Sequence, residues 1–368
     1  MQEEYILKQT NLQKVLKENG FDAFIAINDE SSNWQAIAHQ TGFRGTCGLY
    51  FLYADKAEKK ADIFFDNRYL ERAKREIATC NVLSFEDDFA DTIYKTAKAY
   101  GLKTIACQAC ETSASNWKAI EYLLQKEGIT LKPFDDEYQE ICSVKTDNEI
   151  VKIKAAAELA TEAFMKTLGE VTEGMTEAAF AARLEYEMAI RGASPAFGTI
   201  VASGVHGSIP HAGVTEKEIH RGEIVTVDFG ARLDNYVCDI TRNFVIGKAT
   251  REQRVLHDQI KLAHLTAANA LKDGASGRAV HNIACDVFGD KREYFTHSLG
   301  HGIGLYIHEM PRLSYRKDYT LKAGQVVTVE PGLYFAGKFG MRLEDDYLVT
   351  RNSAERLTAA MPQELFEI

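Results

Sequence analysis

"GEIVTVDFGARLDNYVCDITRNFVIG", residues 222–247, and its later counterpart "GQVVTVEPGLYFAGKFGMRLEDDYLVT", residues 324–350, are the stretches that decide the fold. Both are runs of Val, Ile, Leu, Tyr and Phe, the composition of half-buried or buried strand. A two-residue turn at Asp234–Asn235 predicts a hairpin in the first. Pairing Leu233 with Tyr236 sets Asp228 opposite Thr241 with Asp239 on the diagonal, and the two-residue period of a strand puts all three on one face. The second stretch repeats the arrangement, with Glu330 ending "QVVTVE" and Glu344 inside "MRLEDDYLV".

Acids in such runs must be neutralised, because an unpaired buried carboxylate costs several kcal/mol or takes up a proton. Arg242 and Arg342 lie close by in sequence and could form ion pairs. Two arginines leave excess negative charge on four acids, whereas two divalent cations match four carboxylates and one imidazole. A source of imidazole is the stretch "FTHSLGHGIGLYIHEMP", residues 295–311, which holds His297, His301 and His308 of the chain's 10 histidines. Gly300, Gly302 and Gly304 argue against a helix there and allow close approach and unusual dihedrals around a ligand. The zincin H-E-x-x-H spacing is absent.

Working outward, Thr146 and Glu149 have the spacing of a capping box and open a helical, apolar-striped segment. Helices are expected near 149–168 and 176–191 before the first strand pair, and near 251–272 and 276–288 before the second. Helix, helix, strand pair, twice over, predicts two similar halves packing their sheets together. From residue 1 to about 143, short apolar runs ("DAFIAI", "GLYFLYA", "ADIFFD", "TIACQA") alternate with amphipathic helices, which argues for an α/β layer structure. Two domains, 1–143 and 144–368, follow, as the 368-residue length also suggests.

The formal charge of −10 repels phosphate backbones and anionic lipid, so neither nucleic acid nor membrane is an expected partner. No apolar window of signal-peptide or spanning length is seen, which predicts a cytoplasmic protein. Seven scattered cysteines fit reduced thiols. Cys107 and Cys110 form one CxxC, read as two half-buried thiols with a redox pair or half of a zinc site as alternatives. Strand alternation turns Cys238 away from the acid face.

"VTVDFGARLDNYVCDITR", "HSLGHGIGLYIHE", "VTVEPGLY" and "MRLEDD" resemble, in order, the blocks of the aminopeptidase P, prolidase and methionine aminopeptidase group of metallopeptidases, whose catalytic domain is the pita-bread fold. "TGFRGTCGLYFLY" and "FFDNRYLERAKRE" resemble the smaller creatinase-type α/β domain that precedes it in the Xaa-Pro branch. The resemblance implies that Asp228 holds one metal, His301 and Glu330 the other, and that Asp239 and Glu344 bridge both. His297 and His308 match histidines that hold substrate and stabilise the tetrahedral intermediate, and His211 in "IPHAGV" matches one near the substrate's entry; His206 is read as a loop residue. No ligand position is substituted, which sets the chain apart from metal-free and binding-only relatives of the fold.

The implied reaction is hydrolysis of the first peptide bond of a peptide with proline second, by water activated between two divalent ions, with Glu330 as proton acceptor. Oxygen-rich ligation favours manganese, with Co²⁺, Fe²⁺ or Zn²⁺ also able to bind. Arg312, in "HEMPRLS", is either a solvated surface residue or the partner of a free substrate carboxylate, which would make the protein an Xaa-Pro dipeptidase. The third reading is a metal-free binding protein on the same fold. The resemblance also implies a homodimer.

Overall fold

The computed structural model describes residues 2–30, 34–55, 60–85 and 88–368. The chain divides into two compact units, Met1–Cys142 and Ser143–Ile368.

In the first unit the apolar runs become a six-stranded sheet in the spatial order Asn81–Ser84, Ala61–Phe65, Cys47–Tyr53, Ala23–Asp29, Thr104–Cys107, Thr130–Pro133, with parallel and antiparallel pairs. Its four inner strands are buried on both faces, which is why they read as continuous apolar runs, while the edge strands Asn81–Ser84 and Thr130–Pro133 are largely open to solvent. Phe24 and Ala26 join a core with Leu12 and Leu16 of the helix Gln2–Glu18, while Ala23, Ile25 and Ile27 join another with Ile93, Ile120 and Leu124. That first helix is absent from the sequence reading. Cys107 is buried and Cys110 exposed, and burial holds both thiols up at about 12, in the protonated form.

The second unit shows the doubled order. Helices Asp147–Leu168 and Glu177–Ile190 pack on strands Ile200–Ser203, Ile224–Phe229 and Ile240–Val245. Helices Arg251–Ala268 and Gly277–Phe288 pack on Gly300–Gly302, Glu309–Leu313, Val326–Val329 and Asp345–Val349. Each half has its own apolar core. Capping boxes start both long helices, at Thr146 with Glu149 and at Thr250 with Gln253. The helix expected to reach residue 272 stops at Ala268, where Asn269 caps it and the chain turns through Ala270 and Leu271.

The first hairpin has the expected register: Leu233 pairs with Tyr236 across a turn whose Asp234 and Asn235 both take positive φ, and Thr241 pairs with Asp228. The second carries a register that the sequence did not make plain. Val329 pairs with Asp345 and Gly332 with Arg342, and this shared register places Glu330 opposite Glu344. The halves join at a bridge between Thr241 and Glu344, where Glu344 N–H donates to Thr241 O over 3.3 Å. A row thus runs Asp228, Thr241, Glu344, Glu330 across the join. Arg242, wholly buried, secures it from behind by donating to the carbonyls of Thr241 and Glu344 and to Asp345 Oδ1.

Candidate metal centre

Strand geometry delivers the acids, and a close approach delivers the imidazole. Gly300 and Gly302 flank His301 in a short strand; a Cβ on Gly300 would lie 2.0 Å from Thr328 O and one on Gly302 2.2 Å from Met310 O. Only glycine lets this strand pack so tightly between its neighbours. Neither residue takes a positive φ, so the expected need for unusual dihedrals reduces to a need for space. His301 pairs with Arg312 across the strand and donates its backbone N–H to Thr328 Oγ1 over 3.1 Å.

Asp228, Asp239, His211, His297, His301, His308, Arg312, Glu330 and Glu344 all line one cavity of about 380 Å³. Ligand atoms of Asp239, His301 and Glu344 lie within 4.8 Å of one another. His301 Nε2 is 3.6 Å from Asp239 Oδ2 and 3.6 Å from Glu330 Oε1. Its Nδ1 lies 3.1 Å from Gly302 O, and a carbonyl only accepts, so Nδ1 carries the proton and Nε2 presents a lone pair to two carboxylates. Burial drives this imidazole down to about 3, so it is neutral near pH 7. A lone pair facing two acids is a repulsive arrangement that a cation between them relieves.

The ion-pair alternative accounts for Asp228 closely and for Glu344 only at 3.9 Å from Arg342 Nε. Arg342 Nη2 donates to Asp228 Oδ2 over 2.6 Å and its Nε to Thr241 Oγ1 over 2.9 Å, while Thr241 Oγ1 donates to Glu344 Oε2 over 2.6 Å. Arg242, the other arginine considered, is committed to Asp345. Asp228 Oδ1 and Asp239 Oδ1 are buried without a hydrogen-bond partner. Burial first, and then the neighbouring carboxylates, hold Asp239 and Glu344 well above the usual acid range, and burial lifts Glu330 to about 8. Two orphaned carboxylate oxygens, an inward imidazole lone pair and acids that resist ionisation fit a cation pair.

The other histidines are not equivalent. His297 Nδ1 lies 2.8 Å from Ser298 O and so donates, and Nε2 lies 3.0 Å from Tyr334 OH. Tyr334 OH accepts from Arg342 Nη1 over 2.6 Å, leaving its own proton for His297. Both ring nitrogens are therefore engaged, and burial takes this imidazole down to about 3. His308 and His211 are exposed at the cavity, the His308 ring 4.4 Å from that of His301. Arg312 is half-buried in the lining, not a solvated surface residue.

Sequence reasoning missed Tyr334 and Asp346. Asp346 is fully buried and its Oδ2 accepts the backbone N–H of Asp239 over 3.0 Å, fixing a site residue that sits outside the strand ladder. A third acid directly after Glu344 and Asp345 was the available signal. His206, read as a loop residue, lies in the 3₁₀ turn Gly204–Ser208 with Nδ1 2.8 Å from Glu177 Oε2. Cys238 is buried in the first-half core and does not line the cavity.

Residues 151–351 match metallopeptidase family M24 and residues 8–144 match the creatinase/prolidase N-terminal domain. The chain is 36% identical over 323 residues to the Xaa-Pro dipeptidase of Pyrococcus furiosus, covering 86% of this chain and 89% of that one. Among solved structures, the X-Pro aminopeptidase of Thermotoga maritima superimposes with a TM-score of 0.88 at 36% identity over 95% of this chain and 98% of that one. The Xaa-Pro dipeptidase of Bacillus anthracis does so with a TM-score of 0.91 at 32% identity over 99% and 100%.

Proposed function

The chain belongs to metallopeptidase family M24, with a creatinase/prolidase N-terminal domain before a pita-bread catalytic domain, and from that premise we propose that it is an aminopeptidase hydrolysing the N-terminal Xaa-Pro bond of peptides. The observation that carries the reading is the convergence of Asp228, Asp239, His301, Glu330 and Glu344 on one cavity whose remaining walls include Phe197, Ile200, Pro210 and Ile307. In the proposed assignment Asp228 holds one cation, His301 and Glu330 the other, and Asp239 and Glu344 are shared. When bound, such a pair polarises a carbonyl and lowers the pKa of water. Manganese is the proposed ion, since four of the five groups are oxygen ligands.

Glu330 takes the proton of the attacking water and returns it to the leaving nitrogen. His308, exposed beside His301, donates to the oxygen on which charge develops; His211 at the mouth orients the peptide. His297, with both nitrogens engaged, holds its place in the wall and keeps Tyr334 and Arg342 aligned against Asp228. An Xaa-Pro bond offers no N–H, so recognition rests on the ring's shape, which the apolar walls suit, and on the free amino terminus.

Arg312 favours a second reading. A half-buried guanidinium in the lining is placed to pair with a carboxylate that follows proline directly, as in a dipeptide. Assaying an Xaa-Pro dipeptide against an Xaa-Pro-Xaa tripeptide with Mn²⁺ separates the two. Tripeptide cleavage supports the aminopeptidase; cleavage of the dipeptide alone overturns it in favour of the dipeptidase. A cytoplasmic setting is proposed, with the homodimer that the family resemblance implies: Cys47, Cys80, Cys107, Cys110, Cys238 and Cys285 are free thiols, and among the described residues no helix is long and apolar enough to cross a membrane.

A further inference from the structure

Glu177 is a wholly buried carboxylate that the chemistry above does not use. Its Oε1 accepts from Ser203 N over 2.7 Å and Ser203 Oγ over 2.9 Å. Its Oε2 accepts from Thr215 Oγ1 over 2.7 Å and lies 2.8 Å from His206 Nδ1. These partners are the two ends and an interior point of one connection, Ser203 to Thr215, that leaves the strand Ile200–Ser203 beside Asp228 and carries Pro210 and His211 into the cavity wall.

The far end of that connection is tied to the same spot. Glu177 N donates to Lys217 O and Ala178 N to Thr215 O, each over 3.0 Å, so the helix Glu177–Ile190 meets its need for N-terminal acceptors with the connection itself. Lys217 Nζ reaches back to Ser203 Oγ over 2.8 Å. The middle is held from the opposite side: Pro210 O accepts from Arg342 Nη1 over 3.4 Å, and Gly207 O sits where a Cβ on Gly340 would fall, 2.3 Å away. A connection exposed at Val205, Ile209, His211 and Val214 is thus held in its middle from the opposite wall and at both ends by one buried carboxylate.

We propose that Glu177 is a positioning residue for peptide recognition, clamping both ends of the Ser203–Thr215 connection so that His211 and Pro210 form a fixed rim of the cavity. This rests on the peptidase reading for its kinetic consequence, but the clamp itself is independent of it. A carboxylate accepting hydrogen bonds from Ser203, Thr215 and His206, with the Lys217 ammonium one bond further out on Ser203 Oγ, holds the connection by direction as well as by charge, and glutamine keeps two of the acceptor contacts.

The test is Glu177→Ala, Glu177→Gln and His211→Ala, singly and Glu177→Ala with His211→Ala, in the metal-loaded full chain with an Xaa-Pro-Xaa tripeptide. Misplacing a contact by about 1 Å costs up to a hundredfold, so Glu177→Ala is expected to raise KM by about tenfold while kcat changes less than twofold. Glu177→Gln should recover most of the loss, and Glu177→Ala should add nothing further to His211→Ala. Amide hydrogen exchange should quicken across 204–214 in Glu177→Ala, with manganese content unchanged. Additive effects of the two substitutions, a fall in kcat alone, or unaltered exchange across 204–214 would overturn the proposal. If Glu177→Ala does not fold, Thr215→Val, which removes one donor from the far end, carries the same expectations at smaller size. A wild-type protein inactive on peptides would defeat the peptidase reading, and the exchange measurement would still decide the clamp.

Discussion

In the first half of the catalytic unit Thr176 caps Glu177–Ile190 two residues after Gly174, at φ +87°; in the second, Ser276 caps Gly277–Phe288 two residues after Gly274, at φ +77°. Gly174 N donates to Ile219 O in one half and Gly274 N to Leu321 O in the other. Each half contributes two acids from its hairpin. The difference lies in the neighbouring strand: Ala202 pairs with Thr226, two residues before Asp228, while His301 bonds to Thr328, two residues before Glu330. A second difference is Glu177, buried under the rim, against Gly277, whose Cβ would lie 2.6 Å from Arg312 O. The scaffold is doubled and the chemistry divided. Acids come from both halves, the inward imidazole of His301 and Arg312 from the second, the proposed clamped rim from the first.

Removing one acid from each half tests that division most strongly. Asp239→Asn and Glu344→Gln should each lower kcat/KM by more than about a hundredfold, since even outer partners of metal ligands cost 10- to 100-fold. In metal-stripped protein the same substitutions should leave the melting temperature unchanged or raise it, because each replaces a carboxyl whose ionisation burial and its neighbours oppose with an amide that cannot ionise. Equal damage to metal-free stability would mean that the acids are structural.

Thr241→Val acts at the join. It deletes the hydroxyl that donates to Glu344 Oε2 and accepts from Arg342 Nε, and is expected to weaken manganese binding about 10- to 100-fold, read by titration calorimetry.

The pH dependence of metal-stripped protein sharpens the comparison further. Glu330 is raised from 4.5 to about 8, so the folded state binds the proton more tightly; its contribution is present below 4.5 and lost as pH rises through about 8. His297 and His301 are lowered from 6.5 to about 3, so their contribution is present above 6.5 and lost as pH falls toward about 3. Thermal melts should therefore show stability falling on both sides, and manganese should flatten the alkaline side by taking the proton's place. An alkaline limb unaffected by metal would contradict the shared site.

The smallest effects test the equivalence of the halves. Thr176→Ala and Ser276→Ala each remove one N-cap bond and should each cost about 1 kcal/mol by denaturant unfolding.

Much of this was legible in the sequence because strands have a two-residue period and helices advertise their caps. The pairing of Leu233 with Tyr236 followed from a turn and an alternation, and Thr146 with Glu149 announced a helix start. The pairing of Glu330 with Glu344 did not, because Pro331 breaks the run and moves Gly332–Phe335 into a separate ladder. Arg242 and Arg342 looked alike by spacing, yet one faces the acids and the other lies behind the join, a choice set by packing. Tyr334 acts on His297 37 residues back and Glu177 through a connection 26 to 38 residues on, so no local pattern marks them, whereas Asp346 had only its place after two other acids to mark it.

The count of manganese ions per chain tests the central claim most directly, by titrating metal-stripped wild type and Asp239→Asn with elemental analysis after dialysis. Four carboxylates around a single inward-facing imidazole predict two ions in the wild type and a clear loss of occupancy in the variant. Wild type that retains no manganese, or a variant that retains as much, would contradict it.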